Sequence, residues 1–562
     1  PGHLEARRWL ATALEAQGCW EAALPHRNYT IFQLQSTNQL NSADLHALGR
    51  CAHYANDYPT AIKADLQAIE SNPEDLTAHL LVAATYARTG EFAASSEHYR
   101  IVTQSAPGNA DAWLGLAEIQ NHQGDTRNAV ETLHAAAQAL PENVDIHLLL
   151  GRILLREQSL TPALASLERA YHLSHLDGCG WPHPARNQAS LIYGQVLAQL
   201  GKYDLARDVL AEAYTAAQSD KTLLAEAARH YAQVLLALNE KKQALQPLET
   251  ALQEQPNQPD VHLEYARTLL SLRVNQQQAY QSIQKVLQAD PTSREAQGWM
   301  AVALDQLGQV QAAFQAYQQA LENGLAEDPE WRARLLYGIS CTGLTLGKPD
   351  LALASAQDAV QIMPTCVEYQ QQLTEVFWAV NLPSKALQTA HLVLQLDQAN
   401  PDNLAWYADQ IIRNLQPNHK VGKTVLKAED QTSSVDGINV LHRALELQPK
   451  RADLLTRLSR LQILSGQPEI AIETLQRLLN FESLPMILYQ EAANLAEDTG
   501  NPRLASDLYR RAAQAVQQAD SKSYGEILMK LAEAQSNAQN YHASLQTLRQ
   551  AISNTPADPR PY

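Results

Sequence analysis

The stretch 110–143, ADAWLGLAEIQNHQGDTRNAVETLHAAAQALPEN, decides the fold. Trp113, Leu116, Ala117 and Gln120 recur at the three- and four-residue spacing that gathers side chains on one face of a helix. Gly124-Asp125 interrupts the pattern, and Ala129, Leu133 and Ala136 resume it as the inner face of a second helix. Pro141 blocks further extension, because it lacks an N–H and its ring crowds the preceding turn. Outward from this pair the same landmarks return every 34 residues: Pro73, Pro107 and Pro141; Gly90 and Gly124; Leu48, Val82 and Leu116; Tyr58, Phe92 and Thr126. A fixed period of this kind marks an array of stacked repeats.

Several of these positions recurring together resemble the tetratricopeptide repeat, whose pattern is aromatic, Leu, Gly, Tyr, then Ala, Phe, Ala and Pro, and the resemblance covers nearly the whole chain. It implies an all-α fold, a right-handed superhelix (α-solenoid) of about 15 helix-turn-helix repeats. Repeats one to five then occupy 1–173, and the insertion SHLDGCGWPHP occupies 174–184. Repeats six to eleven and the first helix of the twelfth run over 185–415, followed by a polar insertion at 416–437. The second helix of the twelfth and repeats thirteen to fifteen fill 438–562. Ala83, Ala117, Gly151 and Gly194 are expected to let each first helix approach its neighbour closely. Gly201, Gly308, Gly347, Gly466, Gly500 and Asn540 are expected at turns. Pro1 falls where the closing proline of an earlier repeat would fall, so the chain reads as a piece of a longer polypeptide.

Composition narrows the function. A length of 562 residues would ordinarily suggest three or four domains, but a solenoid grows by stacking and has no single core. The net charge of -17 argues against generic nucleic-acid binding, which needs a basic footprint. No apolar run is long enough to span a membrane. Cys19, Cys51, Cys179, Cys341 and Cys366 are scattered and odd in number, which argues against a disulfide framework and for a reducing, cytoplasmic setting. No Ser/His/Asp order, HExxH motif or Gly-rich dinucleotide loop is present, so neither catalysis nor a cofactor is expected.

In the family this chain resembles, a second stripe of each first helix lines a concave groove. In repeats one to eight that stripe carries Arg8, Arg50, Arg88, Arg152, Arg156, Arg229 and Arg267 against Glu15 and Glu118. In repeats nine to fifteen it carries Asp305, Glu375, Asp409, Glu497, Asp498 and Glu533 against Arg413 and Arg460. The groove is thus expected to be basic first and acidic later. Arginine suits the first task because its planar fork grips carboxylates. The residues expected to contact a partner are Arg50, His53, Tyr54, Arg88, Arg152, Arg156, Arg229 and Arg267. Acidic residues at the outermost place, such as Glu226 and Asp453, are assigned to the helix dipole instead.

Two family specialisations do not transfer. The Lys/Asn clamp of chaperone-binding members meets His46/Arg50, Leu80/Ala84 and Leu148/Arg152, and the asparagine ladder of sugar-transferring members meets only isolated residues such as Asn121 and Asn494. In the first insertion His172, His175, Cys179 and His183 include metal-ligand types, but their spacing matches no standard finger, and a packed loop is preferred. VGKT (421–424) lacks the glycine of a phosphate loop, with Pro417 in its place. The expected function is a protein-interaction scaffold holding a peptide or helix, acidic where it meets the first half of the groove. The alternatives are a sensory or substrate-presenting arm of a larger enzyme or signalling ATPase, and a self-associating structural subunit.

Overall fold

The computed structural model describes residues 4–176, 183–324, 328–415, 428–481, 484–516 and 521–554. Among them there is no strand, and thirty α-helices follow one another as helix-turn-helix pairs, an α-solenoid architecture. The chain divides into two compact units, Pro1–Val274 and Asn275–Tyr562. Within each unit a helix packs on its pair partner and on the helices that follow.

The described turns inside the pairs carry a left-handed residue. Gly124 supplies it at φ +79°, a conformation that costs an L residue about 1–2 kcal/mol. Where glycine is missing, Asn56, Gln158, Asn239 and Asn381 take the same conformation. In the last pair Gln539, not Asn540, is the left-handed residue; Asn540 instead accepts the Ala543 N–H and caps the following helix.

The core of a pair is built as its periodicity implies, with one difference. Leu116, Ala117, Gln120, Ala129, Leu133 and Ala136 are buried, whereas Trp113 is only half-buried. Its indole N–H reaches back 2.9 Å to the Pro107 carbonyl. The same latch recurs from His79 to Pro73, His147 to Pro141, His262 to Pro256, Gln297 to Pro291 and Gln370 to Pro364. Each satisfies a carbonyl that the proline-containing turn leaves outside the helical ladder. Close approach between helices depends on Gly151 and Gly194, where a Cβ would run into Leu167 and Leu210.

The two insertions are handled differently. Across the first, Glu212 accepts from Tyr171 Oη (2.9 Å), His175 Nε2 (2.7 Å) and Arg186 Nη2 (2.7 Å). Burial alone would raise the Glu212 pKa, but these donors hold the carboxyl below its usual range. The helices Leu160–Ser174 and Arg186–Gln199 are thereby tied to Tyr203–Ala216. At the second, the helix Ala428–Leu447 starts inside the stretch read as insertion. Gly437 lies within that helix, where a Cβ would press on Leu461 and Ile411, so it serves packing and does not end the insertion. No described helix is long and apolar enough to cross a membrane.

Candidate functional site

Arg152 and Arg156 stand one turn apart on the helix Val144–Arg156, and both are exposed. The next two first helices, Arg186–Gln199 and Lys221–Ala237, complete a cleft of about 360 Å³ around them. Leu155, Leu191 and Ile192 give it an aliphatic lining, while Gln188, Gln195 and Glu226 supply polar contacts. No carboxylate among the described residues forms an ion pair with either guanidinium. The cleft therefore offers a two-arginine grip beside apolar surface, with one acid on its rim.

The other expected contact residues fall into separate groups. His53 Nδ1 lies 2.8 Å from Thr85 Oγ1, linking Ser42–Tyr54 to Leu76–Thr89. Tyr54, 54% exposed, stacks on Trp20 at 4.7 Å and meets the His53 ring edge-on. Burial, assisted by nearby Arg88, lowers the His53 pKa, so the ring is neutral near pH 7 and serves as a hydrogen-bonding wall. Arg50 is half-engaged, with Nη2 3.2 Å from Glu15.

Further along, Arg229 and Arg267 both act electrostatically on Glu264, whose pKa burial nevertheless raises. Arg229 also crowds His230, which burial first and this cation second push down to about 4. The expected basic stripe is thus broken. Among the described residues its unopposed part is Arg88, Arg152 and Arg156, because Asp44, Glu15 and Glu264 answer the rest.

Several acids assigned to the groove are drawn back into their own repeats. Glu15 is buried and receives Arg27 at 2.6 and 3.1 Å. Asp305 accepts from Tyr317 Oη at 3.4 Å, and Glu497 from Tyr509 Oη at 3.3 Å. In each case the partner lies twelve residues later, at the second-helix core place held elsewhere by leucines such as Leu133 and Leu167. Arg8 pairs with Asp44, and Glu375 with Arg413 at 2.7 Å. Glu226 and Asp453, assigned above to helix dipoles, instead line clefts. Asp453 does sit in the first turn of its helix, but Glu226 lies in the second turn of Lys221–Ala237, beyond the dipole's reach.

One buried group has no sequence-level reading at all. Asp65 occupies the same core place as Leu133, is fully buried, and neither carboxylate oxygen has a hydrogen-bond partner. Burial pushes it up to about 6, against the opposing pull of His46, whose Nδ1 is 3.5 Å away. Gly49 makes room for it, since a Cβ there would overlap the carboxylate.

In the histidine cluster of the first insertion, two described members are engaged in hydrogen bonds. His175 spends both ring nitrogens, on Glu212 and on the Tyr171 carbonyl, and His183 Nδ1 accepts the Ala185 N–H. Cys179 lies outside the described residues, as does VGKT. Among the described residues no group of three or more His, Cys, Asp or Glu is arranged to hold a metal.

Comparison with known proteins fits this geometry. The tetratricopeptide repeat family model matches residues 46–110, 83–133, 122–177 and 163–221. Residues 46–221 are thus tetratricopeptide repeats, and helix-turn-helix pairs of the same kind continue through the rest of the described chain. No curated protein matches it. Among solved structures, yeast Tom70 is similar at 17% identity over 86% of this chain and 98% of that one, with a TM-score of 0.34. A tetratricopeptide repeat protein from Parabacteroides merdae is similar at 15% identity over 45% and 93%, with a TM-score of 0.33. MamA protein is similar at 18% identity over 31% and 92%, with a TM-score of 0.26.

Proposed function

We propose that the chain is a non-catalytic scaffold for protein partners and that its first unit takes an acidic peptide or helix in the cleft beside Arg152 and Arg156. The observation that carries this reading is the pair of exposed guanidiniums, one turn apart over aliphatic surface, that no carboxylate among the described residues neutralises. A partner carboxylate would complete them through charge-assisted hydrogen bonds, and an aliphatic neighbour would cover Leu155, Leu191 and Ile192. Glu226 on the rim favours a segment whose negative charge is concentrated at one end. Arg88, His53 and Tyr54 form a smaller patch on earlier repeats, suited to a second contact of the same partner.

The test uses a fluorescein-labelled amphipathic helical peptide carrying Glu and Leu on one face, titrated with the full chain and read by fluorescence anisotropy. Arg152→Glu with Arg156→Glu is expected to weaken binding at least about tenfold, the equivalent of one charge-assisted contact. Circular dichroism should be unchanged, because both side chains are exposed. Equal affinity in the double variant overturns the reading. Light scattering at low and high salt separates this function from self-association, since exposed charge pairing between copies would dissolve as salt rises.

A further inference from the structure

The second unit encloses a cleft of the opposite character. The helices Pro401–Leu415, Ala452–Leu464 and Met486–Asp498 surround about 540 Å³, with Asp409, Asp453, Glu491 and Asp498 set against Arg457 and Arg460. Arg457 is consumed internally. Its Nε lies 2.9 and 3.0 Å from the two Asp409 oxygens, and its Nη1 lies 2.8 Å from Asp453. Asp453 also receives Arg451 at 2.6 Å. At the far wall the carboxylates crowd one another. Burial raises the Asp498 pKa against the pull of Arg460 in the same cleft, and raises that of Glu497 against the Tyr509 hydroxyl and Lys530, with Glu533 and Asp498 adding to the rise. Like charges held together out of water favour an incoming cation.

Charge is only half of the chemistry. Ile412, Leu488 and Leu495 line the same cleft, and Ile487 at its edge is 61% exposed. A small hydrated cation would leave that apolar surface uncovered, and a nucleic acid would be repelled by the carboxylates. A chain segment with a basic side chain beside an aliphatic one satisfies both features.

We propose that this cleft binds a peptide or helix that directs a Lys or Arg side chain at Glu491 and Asp498 and lays an aliphatic side chain on Ile487. The chain then carries two docking sites of opposite charge preference, one in each unit. The second shares no residue with the Arg152/Arg156 cleft and stands or falls independently of it.

The experiment titrates the full chain into a labelled amphipathic helical peptide with Lys and Leu on one face, read by anisotropy at about 0.1 M salt, where screening acts beyond about 10 Å. Two controls replace Leu by Ser or Lys by Glu in the peptide. Binding is expected for the Lys/Leu peptide alone. Glu491→Gln with Asp498→Asn should weaken it at least about tenfold, and so should Ile487→Ser, while Arg152→Glu with Arg156→Glu leaves it unchanged. Three results would overturn the proposal: no binding by the wild-type chain, equal affinity in both cleft variants, or equal binding of the Lys/Ser peptide. The last would reduce the interaction to bulk charge.

Discussion

Replacing Asp65 by Leu should stabilise the second helix pair, and the gain should depend on pH. Leu has the same branching as Asp, so the change exchanges two unpartnered carboxylate oxygens for methyl groups. The receiving geometry exists elsewhere in the chain: Gly151 over Leu167 and Gly194 over Leu210 repeat the arrangement of Gly49 over Asp65. The carboxyl titrates at about 6 when folded, against an ordinary value of 3.8. Above pH 6 both states are ionised, and the folded one carries a penalty of about 3 kcal/mol. Below the unfolded value both are protonated and the penalty vanishes, so stability from this group falls as pH rises between the two. The added methyl burial contributes about 2 kcal/mol at any pH.

Hydrogen exchange over Ser42–Tyr54 and Tyr58–Ser71 is the suitable assay, because a repeat array opens locally and has no single unfolding free energy. Exchange in Asp65→Leu should slow by more than roughly a hundredfold at pH 7.5 and by a much smaller factor at pH 4. Asp65→Asn should capture part of the pH-dependent gain. Equal protection in wild type and Asp65→Leu at pH 7.5, or a gain independent of pH, refutes the argument that an ionised core carboxylate strains this pair.

The first pair presents the complementary case. Glu15→Gln leaves the Arg27 guanidinium buried without its counter-charge and should cost about 3–5 kcal/mol, read as lost exchange protection over Leu4–Ala16 and Trp20–Ser36. Adding Arg27→Leu should recover most of the loss, because leucine is the ordinary occupant of that core place. In the fifth pair, Gly151→Ala drives a Cβ into Leu167 and should destabilise by about 1–3 kcal/mol, read as lost exchange protection over Val144–Arg156 and Leu160–Ser174, with a smaller cost in a Leu167→Ala background.

The architecture was legible because its signals are local. Proline stops, left-handed turn residues and three-four spacing each act within a few residues, and the 34-residue period multiplies them. Arg152 and Arg156 were legible for the same reason, being one turn apart on one helix. Their surroundings were not. Leu191, Ile192 and Glu226 reach the cleft from the next two repeats, and nothing in the stretch around Arg152 announces them. The expected charge map erred where it counted signs without partners. Glu15, Asp305 and Glu497 look like groove acids until Arg27, Tyr317 and Tyr509 are seen twelve residues later in place of a core leucine.

That substitution is itself a readable signal. In a repeat protein the register is known, so a polar residue at a leucine place can be found without coordinates. Its consequence then depends on whether the preceding helix offers a partner one helical hairpin away. Arg27 finds Glu15 and becomes a cross-tie. Asp65 meets only His46 at 3.5 Å and remains a stored strain. Two departures from the same pattern, at equivalent places in neighbouring repeats, therefore have opposite effects on stability. The place that Glu15 holds twelve residues before Arg27 is held before Asp65 by His53, whose Nδ1 is turned to Thr85 instead.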